Sequence, residues 1–508
     1  MQRAKNACVH ALLLTAAMLI LINTAQASPV FDLTGDTSSN AGLQARTLDG
    51  GSASAYFNPA LLTAAPAEAT AGFMLLSQHL AITLDGRPGT QFAVLEGLEN
   101  AAHADGKRFD NYPIATNNLQ FGRMATSRRS AFVARPRQAA GSGEGDITYE
   151  VVGLVVKLFK ERVALGMHTL IPNGQFTKMR AFFNDEREQY FSNSLHPELY
   201  SDRMRSLSLA LGFGVQITPQ LSIGAGATLS LKANVVAPTY VVDASKLNQI
   251  LIDMNANVNV GVTPHFGLSY RPISRLHLTL TAHAPQQVEL GTSFTFLLAT
   301  GVEQSSGVTF VLDYKPWQFG LGAAFDLLQE PDQTLSVAGT LVYATWSSYI
   351  DRHGVKPTPQ YEWADTLSPT LGVHYRIGQL HSFVDASFTP TPVPLQTGRT
   401  NYIDNDRLSS ALGTEYRFLL WDTKVRVGLN AQVHHLLQRH QTKLSTPTQG
   451  DGKVIEPERV LDEVPDDARI SGEPVAGSNG LQTNNPGWPG FSSAGWILGG
   501  TLYFAVMF

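Results

Sequence analysis

Residues 206–232 contain two long runs in which apolar residues alternate with small or polar ones. Large apolar residues occupy the odd positions from Leu207 to Ile217, and the pattern resumes from Leu221 to Lys232 after Pro219. A period of two places one kind of side chain on each face of a β-strand. Each run is about twice the usual 5 to 6 residues of a soluble strand and matches the roughly 9 to 11 residues that span a bilayer. The pattern favours a transmembrane hairpin over a hairpin in a soluble sandwich.

The N-terminus has the form of an export signal. Arg3 and Lys5 precede an apolar run, 11–22, that ends before Ala25-Gln26-Ala27, a small-x-small cleavage site. We therefore expect residues 1–27 to be removed. The only cysteine, Cys8, lies in this segment, so disulfides, zinc-thiolate sites and cysteine catalysis are excluded for the mature chain. Beyond the signal the 508-residue chain has no run of about 18 apolar residues, which excludes helical membrane spans.

Short turns recur along the chain, and longer irregular stretches lie between them. The short turns are Lys160-Glu161, Pro219-Gln220, Pro272-Ile273-Ser274, Glu330-Pro331-Asp332, Gly378-Gln379 and Leu420-Trp421-Asp422. Short turns at one end and long loops at the other are typical of outer-membrane barrels. Six turns join twelve strands, and strands near 69–84 and 494–508 complete the count. The sequence predicts an all-β, transmembrane antiparallel β-barrel of about 14 strands, or 16 if a further hairpin lies near 119–135.

This count divides the mature chain into two parts. The barrel is expected over residues 67–508, with long extracellular loops at 85–146, 172–202, 234–257 and 438–490. Residues 28–66 are rich in Ala, Gly, Ser and Thr, lack strand alternation and contain the cluster 56–62, Tyr-Phe-Asn-Pro-Ala-Leu-Leu. A barrel of this size has a lumen to fill, so we expect residues 28–66 to form an N-terminal hatch or plug. A disordered linker is the alternative.

The last strand ends in an aromatic residue, Phe508. A terminal amphipathic strand of this kind is similar to the signal that outer-membrane barrels present to the barrel-assembly machinery. A soluble C-terminal strand is the alternative. Arginines in 85–146 are candidates for lipopolysaccharide phosphates, although loop charges are more often merely solvated.

Signals of catalysis are weak. The chain has no G-x-S-x-G elbow, H-E-x-x-H pair or P-loop, so it is not expected to be an enzyme or to hold a metal or cofactor. The histidines His168, His277 and His283 fall on the polar faces of strands and leave a lipase-like site as a minor alternative. Residues 404–407, Asp-Asn-Asp-Arg, are interpreted as a junction between a loop and a strand, because no EF-hand pattern is complete.

One external loop carries an apolar stripe. Within residues 243–254 the spacing predicts a short helix whose apolar face is formed by Leu247, Ile250, Leu251 and Met254. Packing against a neighbouring loop is one interpretation of this stripe. A docking site for a hydrophobic ligand at the mouth of the barrel is the other.

The chain resembles the FadL/TodX family of outer-membrane transporters for long-chain fatty acids and aromatic hydrocarbons. The resemblance rests on Asn58-Pro59-Ala60 within the run SASAYFNPALLT, and on three further segments. These are Tyr343-Ala344-Thr345-Trp346-Ser347, Pro390-Thr391-Pro392-Val393-Pro394 and Asn405-Asp406-Arg407. It implies a fourteen-stranded barrel with an N-terminal hatch, kinked at Asn58, Pro59 and Ala60.

The resemblance also implies ligand contacts and a function. Val30, Phe31 and Leu33 would approach the inner ligand pocket, and the stripe from Leu247 to Met254 would help to form a first external site. The function implied is facilitated diffusion of long-chain fatty acids or of aromatic or aliphatic hydrocarbons across the outer membrane, gated by hatch movement. The protein would be a monomer surrounded by outer-membrane lipid, without a nucleic-acid partner. A receptor or adhesin barrel is the alternative, and an outer-membrane lipid hydrolase is a weaker one.

Overall fold

The computed structural model describes residues 30–84, 139–141, 146–173, 196–197, 199–200, 204, 207–236, 239–241, 250–252, 255–297, 303–351, 354–357, 359–397, 402–444 and 490–508. The strands are, in chain order, Glu68–Leu84 (β1), Ala139–Gly141 (β2), Asp146–Leu158 (β3), Val163–Pro172 (β4), His196–Pro197 (β5), Ser208–Gln216 (β6), Leu221–Val236 (β7), Thr239–Val241 (β8), Ile250–Ile252 (β9), Asn255–Ile273 (β10), Leu276–His283 (β11), Gln286–Leu297 (β12), Glu303–Lys315 (β13), Gln318–Glu330 (β14), Gln333–Ala344 (β15), Thr366–Ile377 (β16), Leu380–Thr389 (β17), Tyr402–Ile403 (β18), Arg407–Leu420 (β19), Thr423–Thr442 (β20) and Gly490–Met507 (β21).

Helical structure is brief. The α-helices are Val30–Thr34 (α1) and Ser54–Phe57 (α2), and the 3-10 turns are Gly42–Gln44, Gly51–Ala53, Pro59–Thr63, Trp346–Ser348 and Pro359–Tyr361. No helix among the described residues is long and apolar enough to cross a membrane.

Fourteen strands close into one antiparallel barrel. The wall runs β1, β3, β4, β6, β7, β10, β11, β14, β15, β16, β17, β19, β20 and β21, each antiparallel to the next. β21 then pairs with β1 from Glu68 opposite Met507 to Leu84 opposite Phe491. All six predicted short turns occur, and positive φ angles at Lys160, Glu161, Trp421 and Asp422 occur in two of them. The predicted fold class and strand number are confirmed.

The outward face of the wall is apolar. Leu371 is 66% exposed, Ile223 is 45% exposed and Phe213 is 44% exposed, as expected for side chains that contact lipid. Leu209 lies on the same face as Phe213 but is only 3% exposed, because other parts of the protein cover it. The alternation in 206–232 therefore separates a lipid face from a lumenal face.

Residues 30–66 fill the lumen and are called the plug below. The amide of Asn58 donates to the carbonyl of Leu268 on β10, and the amide of Asn40 donates to that of His381 on β17. Asn430 on β20 donates to the carbonyl of Asp36. Since these strands lie on different sides of the barrel, the segment crosses the interior as a packed element.

Two features of the long-loop end differ from the sequence analysis. A hairpin of β12 and β13 is inserted between wall strands β11 and β14, and β12 runs parallel to the end of β7. The helix predicted over 243–254 is wrong at Ile250–Ile252, which form β9 and pair with β8. A short apolar run fits both periods, so strand pairing decides between them. Leu247 and Met254, the signal peptide, the possible hairpin near 119–135 and most of the four long loops lie outside the described residues.

Candidate functional site

The plug begins with α1, whose side chains contact other plug residues and the wall. Val30, Phe31 and Leu33 are all buried. The ring of Phe31 lies 4.8 Å from that of Tyr56 and 5.5 Å from that of His168 on β4. Leu33 lines a cavity between the plug and the long-loop end of the barrel, called the upper cavity below. Of the three predicted ligand contacts, Leu33 is the one that lines this cavity.

Asn58 connects three parts of the structure. Its side-chain oxygen accepts a hydrogen bond from Ala60 N at 3.2 Å, which caps the 3-10 turn that begins at Pro59. Its amide donates to Arg46 O at 3.1 Å and to Leu268 O at 3.3 Å. A short polar residue that caps a turn from an extended backbone is typical of this position, and proline follows at the first position of the turn. The motif therefore holds the plug against β10.

The wall strands carry glycines at the positions that face this motif. A Cβ on Gly267 would overlap Asn58 Oδ1, and a Cβ on Gly224 would lie 2.8 Å from Pro59 Cβ. Gly224 lies in the second alternating run and Gly267 lies opposite it on β10, and the absence of a side chain at both permits the close approach of the plug. The small residues of these strands thus form a complementary surface for Asn58, Pro59 and Ala60.

Asp32 of α1 is the centre of an ion cluster between plug and wall. Its carboxylate lies 3.1 Å from Arg46 Nη2 and 3.3 Å from Lys315 Nζ. It also accepts hydrogen bonds from Tyr56 Oη at 3.0 Å and Gln318 Nε2 at 3.2 Å. Burial by itself raises the pKa of Asp32, but Lys315 and Arg46 outweigh it and hold the pKa below its ordinary value. Asp32 is therefore ionised at neutral pH and pins α1 to the upper wall.

The upper cavity has a volume of about 180 Å³ and a mixed lining. Its apolar lining includes Leu33, Phe57, Met204, Val342, Trp346 and Pro392. Its charged lining comprises Asp32, Arg46, Lys315, Asp404 and Arg407. The site thus combines apolar side chains with a group of cations. Arg407 Nε is buried without a hydrogen-bond partner among the described residues.

Asp404 lies at the edge of the upper cavity, in the junction before β19. Burial raises the pKa of Asp404 to about 6, against the opposing effect of a hydrogen bond from Thr391 and of Arg407. The neighbouring Asn405 donates to Leu437 O at 2.8 Å and Ser493 O at 2.9 Å, and Asp406 accepts from Thr391 N at 2.8 Å. The bonds of Asn405 and Asp406 support the interpretation of this segment as a junction between a loop and a strand.

Three segments that carried the family resemblance meet at the upper cavity although they are far apart in sequence. Trp346, Pro390, Pro392, Asn405 and Arg407 all line it. Behind them lies an aromatic cluster in which the rings of Tyr349 and Trp363 stack at 3.6 Å, and that of Trp346 is 5.5 Å from that of Trp363. The cluster gives the mouth of the cavity a rigid apolar rim.

The plug separates the upper cavity from the short-turn end. Leu43 N donates to Asp385 Oδ2 on β17 at 2.7 Å. Gln44 on the same 3-10 turn donates to Ala338 O at 3.3 Å and accepts from Thr340 Oγ1 at 2.6 Å. The turn Gly42–Gln44 is thus hydrogen-bonded to β15 and β17 and forms a partition across the lumen.

The lumenal histidines mostly contact the plug. His168 lies within hydrogen-bond distance of Thr37 and Ser52, and His283 lies 3.4 Å from Phe57 O. His277 Nε2 lies 2.8 Å from Ser269 Oγ, but no carboxylate among the described residues hydrogen-bonds to His277 to orient it as in a catalytic triad. The described residues also contain no group of three or more His, Cys, Asp or Glu able to hold a metal ion.

The sequence located part of this site. It placed Asn58, Pro59 and Ala60 in the lumen, but it did not identify Asp32, Arg46 or Lys315 as partners. The sequence offered no signal that set Asp32 apart from Asp36 and Asp49 in the same segment. For Lys315 no sequence signal existed, because its role depends on where β13 ends relative to α1.

Comparison with known proteins agrees with this architecture. No protein-family model and no curated protein sequence matches the chain. Among solved structures, a FadL homologue from Pseudomonas aeruginosa aligns at 11% identity over 95% of this chain and 98% of that one, with a TM-score of 0.50. The P. putida toluene transporter TodX aligns at 12% identity over 93% and 99% of the two chains, with a TM-score of 0.47. The first alignment shows a shared fold, so the resemblance seen in the sequence is confirmed at the level of architecture.

Proposed function

We propose that this barrel, which shares the fold of a FadL homologue, is an outer-membrane channel for facilitated diffusion of hydrophobic small molecules. The observation that carries the proposal is a cavity lined by apolar and cationic side chains, closed by a plug inside a barrel with an apolar outer face. A hydrocarbon chain crosses polar lipopolysaccharide poorly, whereas its burial is favourable by roughly 0.8 kcal/mol per CH₂. The apolar side chains of this cavity at the long-loop end suit such a cargo.

We infer that the cargo carries a carboxylate, as a long-chain fatty acid does. Three cations, Arg46, Lys315 and Arg407, line the upper cavity against two carboxylates, Asp32 and Asp404. The excess of positive charge suits one anionic head group, which Arg and Lys bind by charge-assisted hydrogen bonds. The aromatic and proline side chains at the mouth would contact the alkyl chain. A pure hydrocarbon would leave the cations without a function in binding.

Gating by the plug is the second part of the proposal. Asn58, Pro59 and Ala60 would be the hinge, because the wall glycines hold them in place on one side of the lumen. The partition Gly42–Gln44 on the opposite side would move when cargo occupies the upper cavity, where Leu33 and Leu43 are in position to contact it. Val30 and Phe31 would support Leu33 from behind. The external site that would contain Leu247, Ile250, Leu251 and Met254 remains a proposal that rests on the resemblance.

Uptake of a labelled long-chain fatty acid by cells that depend on this protein tests the proposal. We expect Lys315→Gln to reduce uptake and to reduce the amount of fatty acid that mass spectrometry detects in protein purified in mild detergent. The double variant Asn58→Ala/Pro59→Ala should impair uptake while the barrel still assembles, as judged by its heat-modifiable migration on gels. Normal uptake by the double variant would reject the hinge. Protein that carries no hydrophobic acid and supports no uptake, yet binds a protein through its loops, would favour the receptor.

A further inference from the structure

A second cavity lies on the other side of the plug, at the short-turn end of the lumen, and is called the vestibule below. It has a volume of about 360 Å³, and plug residues 39–41, 48 and 49 form its roof. Its wall carries five arginines, which are Arg271, Arg275, Arg376, Arg417 and Arg426. Only two carboxylates, Asp49 and Asp326, share this lining.

The strand arginines line the vestibule from the wall. Arg271 lies in an irregular part of β10 after Tyr270, and it lines the vestibule together with His277, which hydrogen-bonds to Ser269. Arg376 shares a face with His374, which is 3% exposed and contacts Asp385 at 3.1 Å. Side chains that line the lumen do not contact the lipid head groups around the outside of the barrel, so lipid phosphates do not explain the positions of these arginines.

Neighbouring carboxylates neutralise two of the five arginines. Arg417 and Arg426 both pair with Glu415, at 2.8 Å and 3.2 Å, and Arg426 also pairs with Glu68. Asp326 accepts a hydrogen bond from Ser336 Oγ at 2.6 Å, and Asp49 accepts one from Gly51 N at 2.9 Å.

The other three arginines have no such neutralising partner. Arg271, Arg275 and Arg376 form no ion pair within the described part of the chain, and the one described side-chain bond among them runs from Arg376 to Thr334 Oγ1 at 3.0 Å. The vestibule thus holds an excess of positive charge that is open to water at the short-turn end.

The vestibule and the upper cavity are consecutive along the same strands. On β15 the upper cavity is lined by Thr340 and Val342, and the vestibule by Thr334 and Ser336. Between them Gln44 of the partition is hydrogen-bonded to Ala338 and Thr340. A molecule that passes the partition Gly42–Gln44 along this wall therefore enters the vestibule next.

We propose that the vestibule is a second binding site for the carboxylate of an alkyl acid, which it receives after the acid has passed the partition. This inference rests on the proposed transport function. The vestibule arginines attract the carboxylate from the cations of the upper cavity, and the water-exposed position of the site permits release. Each arginine offers several donors in a planar fork, which suits the two oxygens of a carboxylate.

Calorimetric titration of the full-length mature protein in an uncharged detergent tests the site, with hexanoate and hexanol as probes. Hexanoate should bind to wild type and hexanol should not compete at the vestibule, because it lacks the charge. The double variant Arg271→Gln/Arg376→Gln should bind hexanoate about tenfold more weakly at this site, which corresponds to about 1.4 kcal/mol. Arg271→Lys/Arg376→Lys should retain most of the affinity. The control Lys160→Gln/Arg162→Gln removes the same charge from the exposed β3–β4 turn and should bind as wild type.

The two proposals fail in different ways. Hexanoate binding that is unchanged in Arg271→Gln/Arg376→Gln, while Lys315→Gln abolishes it, overturns the vestibule site and leaves transport standing. Binding that is lost in Arg271→Gln/Arg376→Gln, in a protein that supports no fatty-acid uptake, retains the site and overturns transport. Inorganic phosphate is a third probe. If it displaces hexanoate from the vestibule at a concentration lower than the one at which hexanoate binds, the vestibule is a phosphate site and the assignment to a transported acid is overturned.

Discussion

Asn58 of the plug and Gly267 of β10 are in such close contact that any Cβ on residue 267 would overlap the Asn58 side-chain oxygen. The contact is one of several in which a wall glycine faces the plug backbone. Similar contacts of Gly212, Gly214 and Gly224 with the plug explain why the two alternating runs in 206–232 carry glycines on their inner face. The plug is therefore seated by shape on this side of the lumen, and by ion pairs and hydrogen bonds on the other.

We predict that Gly267→Ala unseats the plug without preventing barrel assembly. Overpacking of a closely packed contact typically costs about 1 to 3 kcal/mol, and displacement of the plug relieves it. Planar-bilayer recordings should show a higher conductance, since a fourteen-stranded barrel without its plug has an open lumen. The matched control is Gly500→Ala on β21, where an added Cβ has no neighbour within 4 Å. Equal conductance of the two variants would contradict the prediction.

Two engineered disulfides should distinguish the moving side of the plug from the fixed side. Gln44→Cys/Gly372→Cys joins the partition to β16, where a Cβ on Gly372 would lie 3.2 Å from Gln44 Cγ. Leu62→Cys/Gly166→Cys joins the hinge side to β4, where a Cβ on Gly166 would lie 2.9 Å from Leu62 Cδ1. A disulfide needs Cβ atoms about 3.5 to 4.5 Å apart, so the formation of each bridge is verified by thiol labelling before uptake is measured.

We expect the disulfide at Gln44 to stop fatty-acid uptake until a reductant is added, and the one at Leu62 to leave uptake unchanged. Cys8 is the only natural cysteine, so competing thiols are not expected after signal removal. The reverse result would place the movement at Asn58 and Pro59 instead of at the partition.

Replacement of Asp32 by Asn should loosen the plug and reduce the rise in conductance that acid causes in wild type. Hydrogen bonds to charged groups contribute about 1.5 to 3 kcal/mol each, and the variant leaves Lys315 and Arg46 without their carboxylate. Since the pKa of Asp32 is held below its ordinary value, its contribution is complete above pH of about 4 and is lost as the pH falls through the lowered pKa. Conductance of wild type should therefore rise only in strong acid.

The Asp32→Asn variant should instead conduct more than wild type at pH 7 and show a smaller rise in acid. Bilayer recordings between pH 7 and pH 2 measure the conductance at pH 7 and its rise in acid, because this range includes the ordinary pKa of a carboxyl group. If acid raises the conductance of both proteins by the same amount and with the same midpoint, groups other than Asp32 are responsible for the rise.

Removal of Phe508 should lower the amount of assembled barrel in cells more than it lowers refolding in detergent. Phe508 is 63% exposed, and its backbone N–H donates to Ala67 O at 3.0 Å beyond the last pair of β21 and β1. Because the side chain contributes little buried area, a loss confined to cells would point to recognition by the assembly machinery. An equal loss in refolding would show that Phe508 acts by stabilising the barrel closure.

Much of the wall could be predicted because each strand carries its own signal. Alternate residues of a barrel strand face lipid and lumen, so they are alternately apolar and polar. A run such as Leu207 to Ile217 therefore indicates a strand even when its neighbouring strands are not known. The turns near Lys160 and Trp421 break that pattern locally. From the strand and turn count, the sequence by itself determined the barrel and the number of its strands. The expected lumenal position of Asn58-Pro59-Ala60 rested instead on the composition of residues 28–66 and on the family resemblance.

The tertiary structure decided which residues meet inside the barrel. The partnership of Asp32 with Lys315, the partition at Gly42–Gln44 and the basic vestibule all join residues separated by hundreds of positions. The helix predicted near Ile250 was wrong for a related reason, since a short apolar run adopts whichever structure its neighbours pair with. Periodicity reports which face a residue occupies, whereas contacts across a lumen depend on strand register and on the path of the plug, which no local pattern records.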